Sequence, residues 1–308
     1  MAFKGKAREK RADQPRELYV GLTSVRVAAI NPTRAELGKL LGTDGEVGEG
    51  KEEFKYLDED KDGNTRLRLA FWLYDEDNDK YFVQSITLTD VDRKSKDGKK
   101  VQIMNSTCGT TWAPLKEDAK GNITDEAEEK LIQDWFLQFT DKEKNEIGTK
   151  KWRNALRGEE ELLILLRAWL NMQWNDPDTE VLIDMKKLFK ENLKELRELI
   201  GSEEYTNSFV ILTGVKTPEE DTNKKYQQVF NKSYLPSGFM RYIKAGNKMP
   251  SDYTKKVWKK FTDEVADQYG FTCFHKLKPL EVYNEAEDPA STNAGKPKVV
   301  TQPQDNEY

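Results

Sequence analysis

Histidine is almost missing from this chain: His275 is the only one in 308 residues. A histidine-rich metal site is therefore excluded, and any Ser-His-Asp or Cys-His mechanism would have to run through that residue. Cysteine is nearly as scarce. Cys108 and Cys273 lie far apart, which argues against a disulfide framework and fits a reducing cytoplasm. Cys273 and His275 have the spacing of half a zinc site, but structural zinc usually takes four Cys or His ligands and Cys108 is the one other candidate. A strand over Phe271–Lys278, with both side chains on one face, is the simpler reading. Long apolar runs are absent too. Spanning a bilayer takes about 20 apolar residues, and the longest window, Leu162–Leu170, is interrupted by Arg167. The basic opening stretch, Met1–Arg16, lacks the apolar segment and small-residue cleavage site of a secretory signal. The expectation is a cytoplasmic protein with no membrane association.

The glycine loops that cradle phosphates are likewise missing, since Gly48 and Gly50 lack a third glycine and a strand–helix setting. Asp58, Asp60, Asp62 and Gly63 begin like an EF-hand calcium loop, but the twelfth position, where a bidentate Glu is required, is Leu69. Those carboxylates are expected to keep a hairpin turn solvated. With no catalytic constellation, metal site or cofactor motif, the chain reads as a binding protein rather than an enzyme.

What is present is charge and aromatic surface. Asp, Glu, Lys and Arg make up 34% of the residues, yet 7 Trp, 12 Tyr and 13 Phe remain. Disordered chains are poor in aromatics, so most of this one is expected to fold. Residues 1–16 read as a basic flexible arm. Leu18–Ile30 alternates as one strand, or as two joined at Gly21. Thr33 and Glu36 have capping-box spacing for a short helix, Thr33–Leu41, that Gly42 stops. Thr65–Tyr74 and Lys80–Thr89 form a hairpin about a polar turn, and Lys99–Asn105 follows the Asp97-Gly98 turn. Helical periodicity marks Asp125–Phe139, Gly158–Met172 and Met185–Ile200. Strands return over Phe209–Val215 and Tyr226–Tyr234, and over Gly238–Ile243 as a further candidate. A helix follows at Ser251–Tyr269, and Phe271–Val282 closes the folded part. Residues 284–308 have the composition of a disordered acidic tail.

Three features suggest what is bound. From Asn223 to Lys260 there are ten basic residues against one acid, Asp252, in a chain whose net charge is −5. Aromatics are interleaved with them, and cations attract phosphates while aromatic faces accept stacked bases. Lys224, Lys225, Lys232, Arg241 and Lys244 are the phosphate candidates there, and Tyr226, Tyr234 and Tyr242 the stacking candidates. The competing reading makes the aromatics core and the lysines a solvated face. The second feature is the strand Thr65–Tyr74. Leu67, Leu69, Phe71 and Leu73 take one face, which leaves Arg66, Arg68, Trp72 and Tyr74 on the other, with Tyr81 beside them from the returning strand. Either this face is a stacking platform or helices cover it and bury Trp72. The third is the end of the chain, where Asp305, Glu307 and Tyr308 make an acidic tip with an aromatic, suited to mimic a nucleic-acid strand or to dock on partner proteins. An ordinary frayed terminus is the alternative.

The segments Tyr19–Thr33 (YVGLTSVRVAAINPT) and Arg66–Trp72 (RLRLAFW), with the acidic tail, resemble the single-stranded DNA-binding proteins of large tailed bacteriophages of the crAss-like type. That resemblance implies an α+β protein with an OB-like antiparallel β core. A single domain over 17–283 would carry a helical insertion near 124–200 and a basic β/α segment from 207 to 282. It implies binding of single-stranded DNA in phage DNA replication, recombination or repair, with the tail contacting replication or recombination proteins. Some such relatives hold zinc with Cys and His ligands, a set this chain lacks, so the resemblance implies a zinc-free branch. The alternative from another class is a structural or adaptor protein of a virion or other assembly, whose exposed aromatics anchor protein interfaces. A nuclease comes third.

Overall fold

The buried positions of the longest strands alternate, and that alternation is what folds the sheet. A computed structural model describes residues 17–43, 54–105, 109–127, 153–169, 189, 193–198, 200, 208–216, 225–236 and 279–284. In chain order these form β1 (Tyr19–Ile30), α1 (Arg34–Leu41), β2 (Leu57–Glu59), β3 (Thr65–Asp75), β4 (Lys80–Asp92), β5 (Lys100–Asn105), β6 (Gly109–Glu117) and β7 (Ile123–Ala127). They continue with β8 (Arg153–Asn154), β9 (Leu156–Arg157), α2 (Glu159–Trp169), α3 (Lys194–Glu198), β10 (Phe209–Lys216), β11 (Tyr226–Pro236) and β12 (Glu281–Val282). Among the described residues no helix is long and apolar enough to cross a membrane.

The main sheet runs β11-β10-β1-β3-β4-β9, antiparallel throughout, with β12 added to β1 and β2 to β3. It curls far enough that β11 comes back against β4. Strand β1 makes the curl possible by serving two neighbours in turn. Gly21–Val25 pairs with β10, Arg26–Ile30 pairs with β3, and a bulge at Ala28 separates Val27 from Ala29 in the second ladder. A bulge adds local twist and bend, which a strongly coiled sheet needs.

Inside the curl, Val25, Val27, Leu67, Leu69, Phe71, Leu73, Phe82, Ile86 and Leu88 form one apolar cluster. Helix α2 fills it, its Leu162, Leu165, Leu166 and Trp169 all buried, and packs on β11, β10 and β4. The stripe expected over Gly158–Met172 is core as far as Trp169, where the described residues end. Its first turn is anchored by Glu159, a fully buried carboxylate that accepts from the Leu156 backbone N–H at 2.8 Å and from the Arg153 guanidinium.

A smaller sheet, β7-β6-β5-β8, is antiparallel as well. Arg93 ties it to the first: its guanidinium donates to Gln102 on β5 at 3.0 Å and to Glu160 on α2 at 2.7 Å, over the Trp112 ring of β6. The sheet corrects two expectations. Ile123–Ala127 is a strand laddered to β6, so the helix expected from Asp125 does not begin there, and 153–157 adds two short strands inside the region read as helical. Apolar periodicity is blind to a partner strand a few residues away that captures the backbone hydrogen bonds first.

The acidic loop that begins like a calcium site is the β2–β3 turn. The Asp60 carboxylate accepts from the backbone N–H groups of Asp62 and Asn64, both at 2.9 Å, and from the Asn64 side chain. Asp118 does the same for Lys120 and Asn122 in the β6–β7 turn, so one Asp-x-x-Gly-Asn device closes two hairpins. Accepting those N–H bonds holds both carboxyls below the ordinary aspartate range. Among the described residues no group of His, Cys, Asp and Glu is placed to hold a metal ion.

Among the described glycines, Gly158 is the tightest joint. Its φ is +85°, and a Cβ there would stand 2.0 Å from the Thr87 carbonyl oxygen on β4. Nothing but glycine allows α2 to start so close to the strand. Gly158→Ala combines that clash with a left-handed backbone and should lower unfolding free energy by more than about 2 kcal/mol. Urea denaturation checks this, and an unchanged midpoint would contradict the placement of α2.

Candidate functional site

The outer face of β3 and β4 follows from the burial of the inner one. With Leu67, Leu69, Phe71 and Leu73 inward, the residues between them must point away. The register sets Tyr74 opposite Tyr81, Trp72 opposite Val83, Ala70 opposite Ser85, Arg68 opposite Thr87 and Arg66 opposite Thr89. The face is therefore graded: aromatic at one end, small in the middle, cationic at the other.

At the aromatic end Tyr74 and Tyr81 lie with ring centroids 4.8 Å apart and planes tilted by 35°, and Trp72 meets Tyr81 edge-on at 6.5 Å. All three are half-buried, and Val83 beside them is 40% exposed. β1 adds Arg26, whose guanidinium carbon sits 5.3 Å from the Tyr74 ring centroid. Arg26 also reaches Glu76 at 3.9 Å, a distant and exposed pairing. Burial, helped by a hydrogen bond to Asp79, pushes the Tyr74 phenol above its ordinary pKa, so it stays a neutral donor in ordinary buffers.

Helix α1 borders this end rather than covering it. The Tyr81 hydroxyl donates to the Leu40 carbonyl at 3.3 Å. The helix has the expected capping box, Thr33 accepting from the Glu36 N–H at 3.2 Å and Glu36 from the Thr33 N–H at 2.8 Å. Those bonds keep the Glu36 carboxyl below its usual range, and Arg197 of α3 pairs with it at 2.7 Å. What aims the helix is Asn31. Its φ is +46°, turning the chain out of β1. Its side chain and backbone then continue the ladder: N–H to Ala70 O at 3.0 Å, Nδ2 to Arg68 O at 2.8 Å, and Ala70 N–H to Asn31 Oδ1 at 2.6 Å. A second aromatic pair, Phe54 and Tyr56, leads into β2 beside Arg68, whose backbone N–H donates to Tyr56 O at 2.7 Å; Arg34 stands 4.2 Å over the Phe54 ring and the Tyr56 hydroxyl donates to Pro32 O.

At the cationic end the arginines differ. Arg66 is held by a two-pronged bond to Asp58 on β2, at 2.7 and 2.6 Å, which keeps the Asp58 carboxyl below its usual range. Arg68 is exposed and makes no ion pair among the described residues.

The structure brings together Arg66, Arg68, Trp72, Tyr74 and Tyr81, and adds Arg26 and Val83, which sequence reasoning missed. Arg26 had a signal in its position between Val25 and Val27, both buried. The basic segment fares differently. Tyr226 is 52% exposed, and Lys225 donates to the Tyr283 hydroxyl at 3.3 Å. Tyr234 is no surface stacker: it is 6% exposed and packs edge-on against Phe209 in the core. The β10–β11 ladder is irregular between Ile211 and Thr213, whose partners jump from Tyr234 to Val229, and this breaks the alternation counted from Tyr226. Lys232 lies on β11. Lys224, Arg241, Tyr242, Lys244, Asp305, Glu307 and Tyr308 lie outside the described residues. So do the 1–16 arm, residues 285–308 of the tail, the Ser251–Tyr269 helix, and Cys108, Cys273 and His275.

Asn31→Ala should destabilise the protein by about 1–3 kcal/mol through a buried N–H and carbonyl left without partners. Asn31→Gly, which keeps the backbone conformation, isolates the hydrogen-bond share. Thermal denaturation followed by circular dichroism reads both, and an alanine variant as stable as the parent would contradict this role. No family model, curated protein or solved structure matches the chain.

Proposed function

We propose that the protein binds single-stranded DNA on the outer face of β3 and β4, without catalysing a reaction. The observation that carries this reading is the graded face itself. It places Trp72, Tyr74 and Tyr81 together with Arg26 at one end and an exposed arginine at the other. Base stacking on aromatics contributes about 1–3 kcal/mol per base and tolerates any sequence, and arginines supply the phosphate attraction.

The arrangement of the sheet supports it. Counting only β1, β3, β4, β10 and β11 as strands one to five, the order around the curl is one-two-three-five-four, returning to one where β10 pairs with β1. That is the order of the five-stranded Greek-key OB barrel, and α2 falls between the third and fourth strands, where such barrels carry a helix. OB-folds bind oligonucleotides on the face of strands two and three and with the loops after strands one and four. Here strands two and three are β3 and β4, and the connection after strand one contains α1, which borders the aromatic end, and β2, which borders the cationic end. We read the strand-bound form as acting in DNA replication, recombination or repair, in the host cytoplasm if the chain is phage-encoded.

Titrating the chain with oligo-dT should quench tryptophan fluorescence, far more than an equal-length duplex does, with affinity falling steeply as salt rises. Trp72→Ala should weaken binding by about 1–3 kcal/mol and remove a share of the quench. Absence of any response at low salt would overturn the reading.

A further inference from the structure

β9 is two residues long, yet it places a charge on the same outer face. Thr89 of β4 pairs with Arg66 on one side and with Arg157 of β9 on the other. Paired residues share a face, so Asp58, Arg66, Thr89 and Arg157 form one row across four strands, with Arg68 and Thr87 in the next. At about 4.8 Å between strands, Arg66 and Arg157 stand roughly 10 Å apart at the backbone.

The charges in this corner are not equivalent. Asp58 neutralises Arg66, and Asp60, whose carboxylate feels the Arg157 charge, is committed to three donors of its own turn. Arg68 and Arg157 are both exposed, and neither makes an ion pair among the described residues. Around them the floor is polar, with Ser85 and Thr87 exposed. The rows of Arg68 and of Arg157 lie roughly 14 and 20 Å along the strands from Trp72 at about 3.4 Å per residue. They are too far off to serve the same nucleotide as the aromatic cluster.

We propose that Arg68 and Arg157 form a phosphate clamp for the backbone of a single strand whose bases stack at Trp72, Tyr74 and Tyr81. This rests on the reading that the outer face of β3 and β4 binds a single strand. The clamp fixes one end of the strand by charge while the aromatic end holds it by stacking, and Arg66 acts as structure rather than as ligand. Charge complementarity selects the occupant. Two exposed arginines that make no ion pair among the described residues, on a face that continues along β3 into aromatics, suit a chain that alternates phosphates with planar rings.

The test is fluorescence anisotropy of a 5′-labelled oligo-dT with the full chain, across a potassium chloride series. Each neutralised phosphate contributes about 0.7 to the slope of log affinity against log salt for single strands. Arg68→Ala and Arg157→Ala should each flatten the slope by about 0.7, and the double variant by about 1.4. Lysine at both positions should restore it. If the alanine pair fails to fold, Arg68→Gln with Arg157→Gln repeats the measurement with the stems kept. A folded double variant with the parental slope, while the parent binds and Trp72→Ala weakens it, overturns the clamp and leaves the stacking face standing. Competition by a phosphorylated peptide as effective as by unlabelled oligo-dT overturns the strand as occupant. A parent that does not bind oligo-dT at all defeats the underlying reading instead.

Discussion

Strand β3 cannot move by one residue, and most of what is distinctive about this protein follows from that. Its inner face is a continuous apolar row from Leu67 to Leu73, each residue almost wholly buried. A one-residue slip would turn Arg66, Arg68, Trp72 and Tyr74 into the core and expose the leucines, a cost no other contact could offset. Because β3 pairs with β1, β2 and β4, its register fixes theirs. The outer face is thus set as firmly as the core, though almost none of its own contacts are strong. Tyr74 and Tyr81 lie together because Leu73 and Phe82 are locked behind them. The same holds for the row that brings Arg157 level with Arg66.

That rigidity gives the surrounding pieces their meaning. Asn31 ends β1 by turning left-handed and then fills the next places in the ladder itself, so α1 leaves the sheet at a defined point and angle. Gly158 does the corresponding work on the far side, letting α2 start against Thr87 and setting Arg157 just before it on the outer face. Two residues with left-handed backbones therefore flank the Arg68–Thr87 row, Asn31 on the β1 side and Gly158 against β4. Glycine takes this conformation without strain, whereas Asn31 is held in it by the hydrogen-bonded ladder it completes.

The parts of this arrangement that could be read from the sequence are those governed by local periodicity. The alternation of β3 and β4, the capping box of Thr33 and Glu36, and the leucine stripe of α2 each depend on neighbours a few residues away. The pairing of β1 with β10 joins residues nearly two hundred positions apart, and no local pattern encodes it. β9 is too short to have a period, so nothing local in the sequence marks Arg157 as a residue of the sheet face. Tyr234 shows the opposite failure. Eight residues from Tyr226, it should share that residue's face, but the irregular ladder opposite Ile211 and Thr213 rotates it inward. A period is only as good as the absence of a bulge, and a bulge is decided by the partner strand.

The central claim is that bases sit on the outer face of β3 and β4. Ultraviolet cross-linking of the full chain to oligo-dT, followed by mass spectrometry of the cross-linked peptides, addresses it without mutation. The account predicts that thymine adducts concentrate on the peptides carrying Trp72, Tyr74 and Tyr81. Adducts confined to other segments, with that face unlabelled under saturating oligonucleotide, would contradict it.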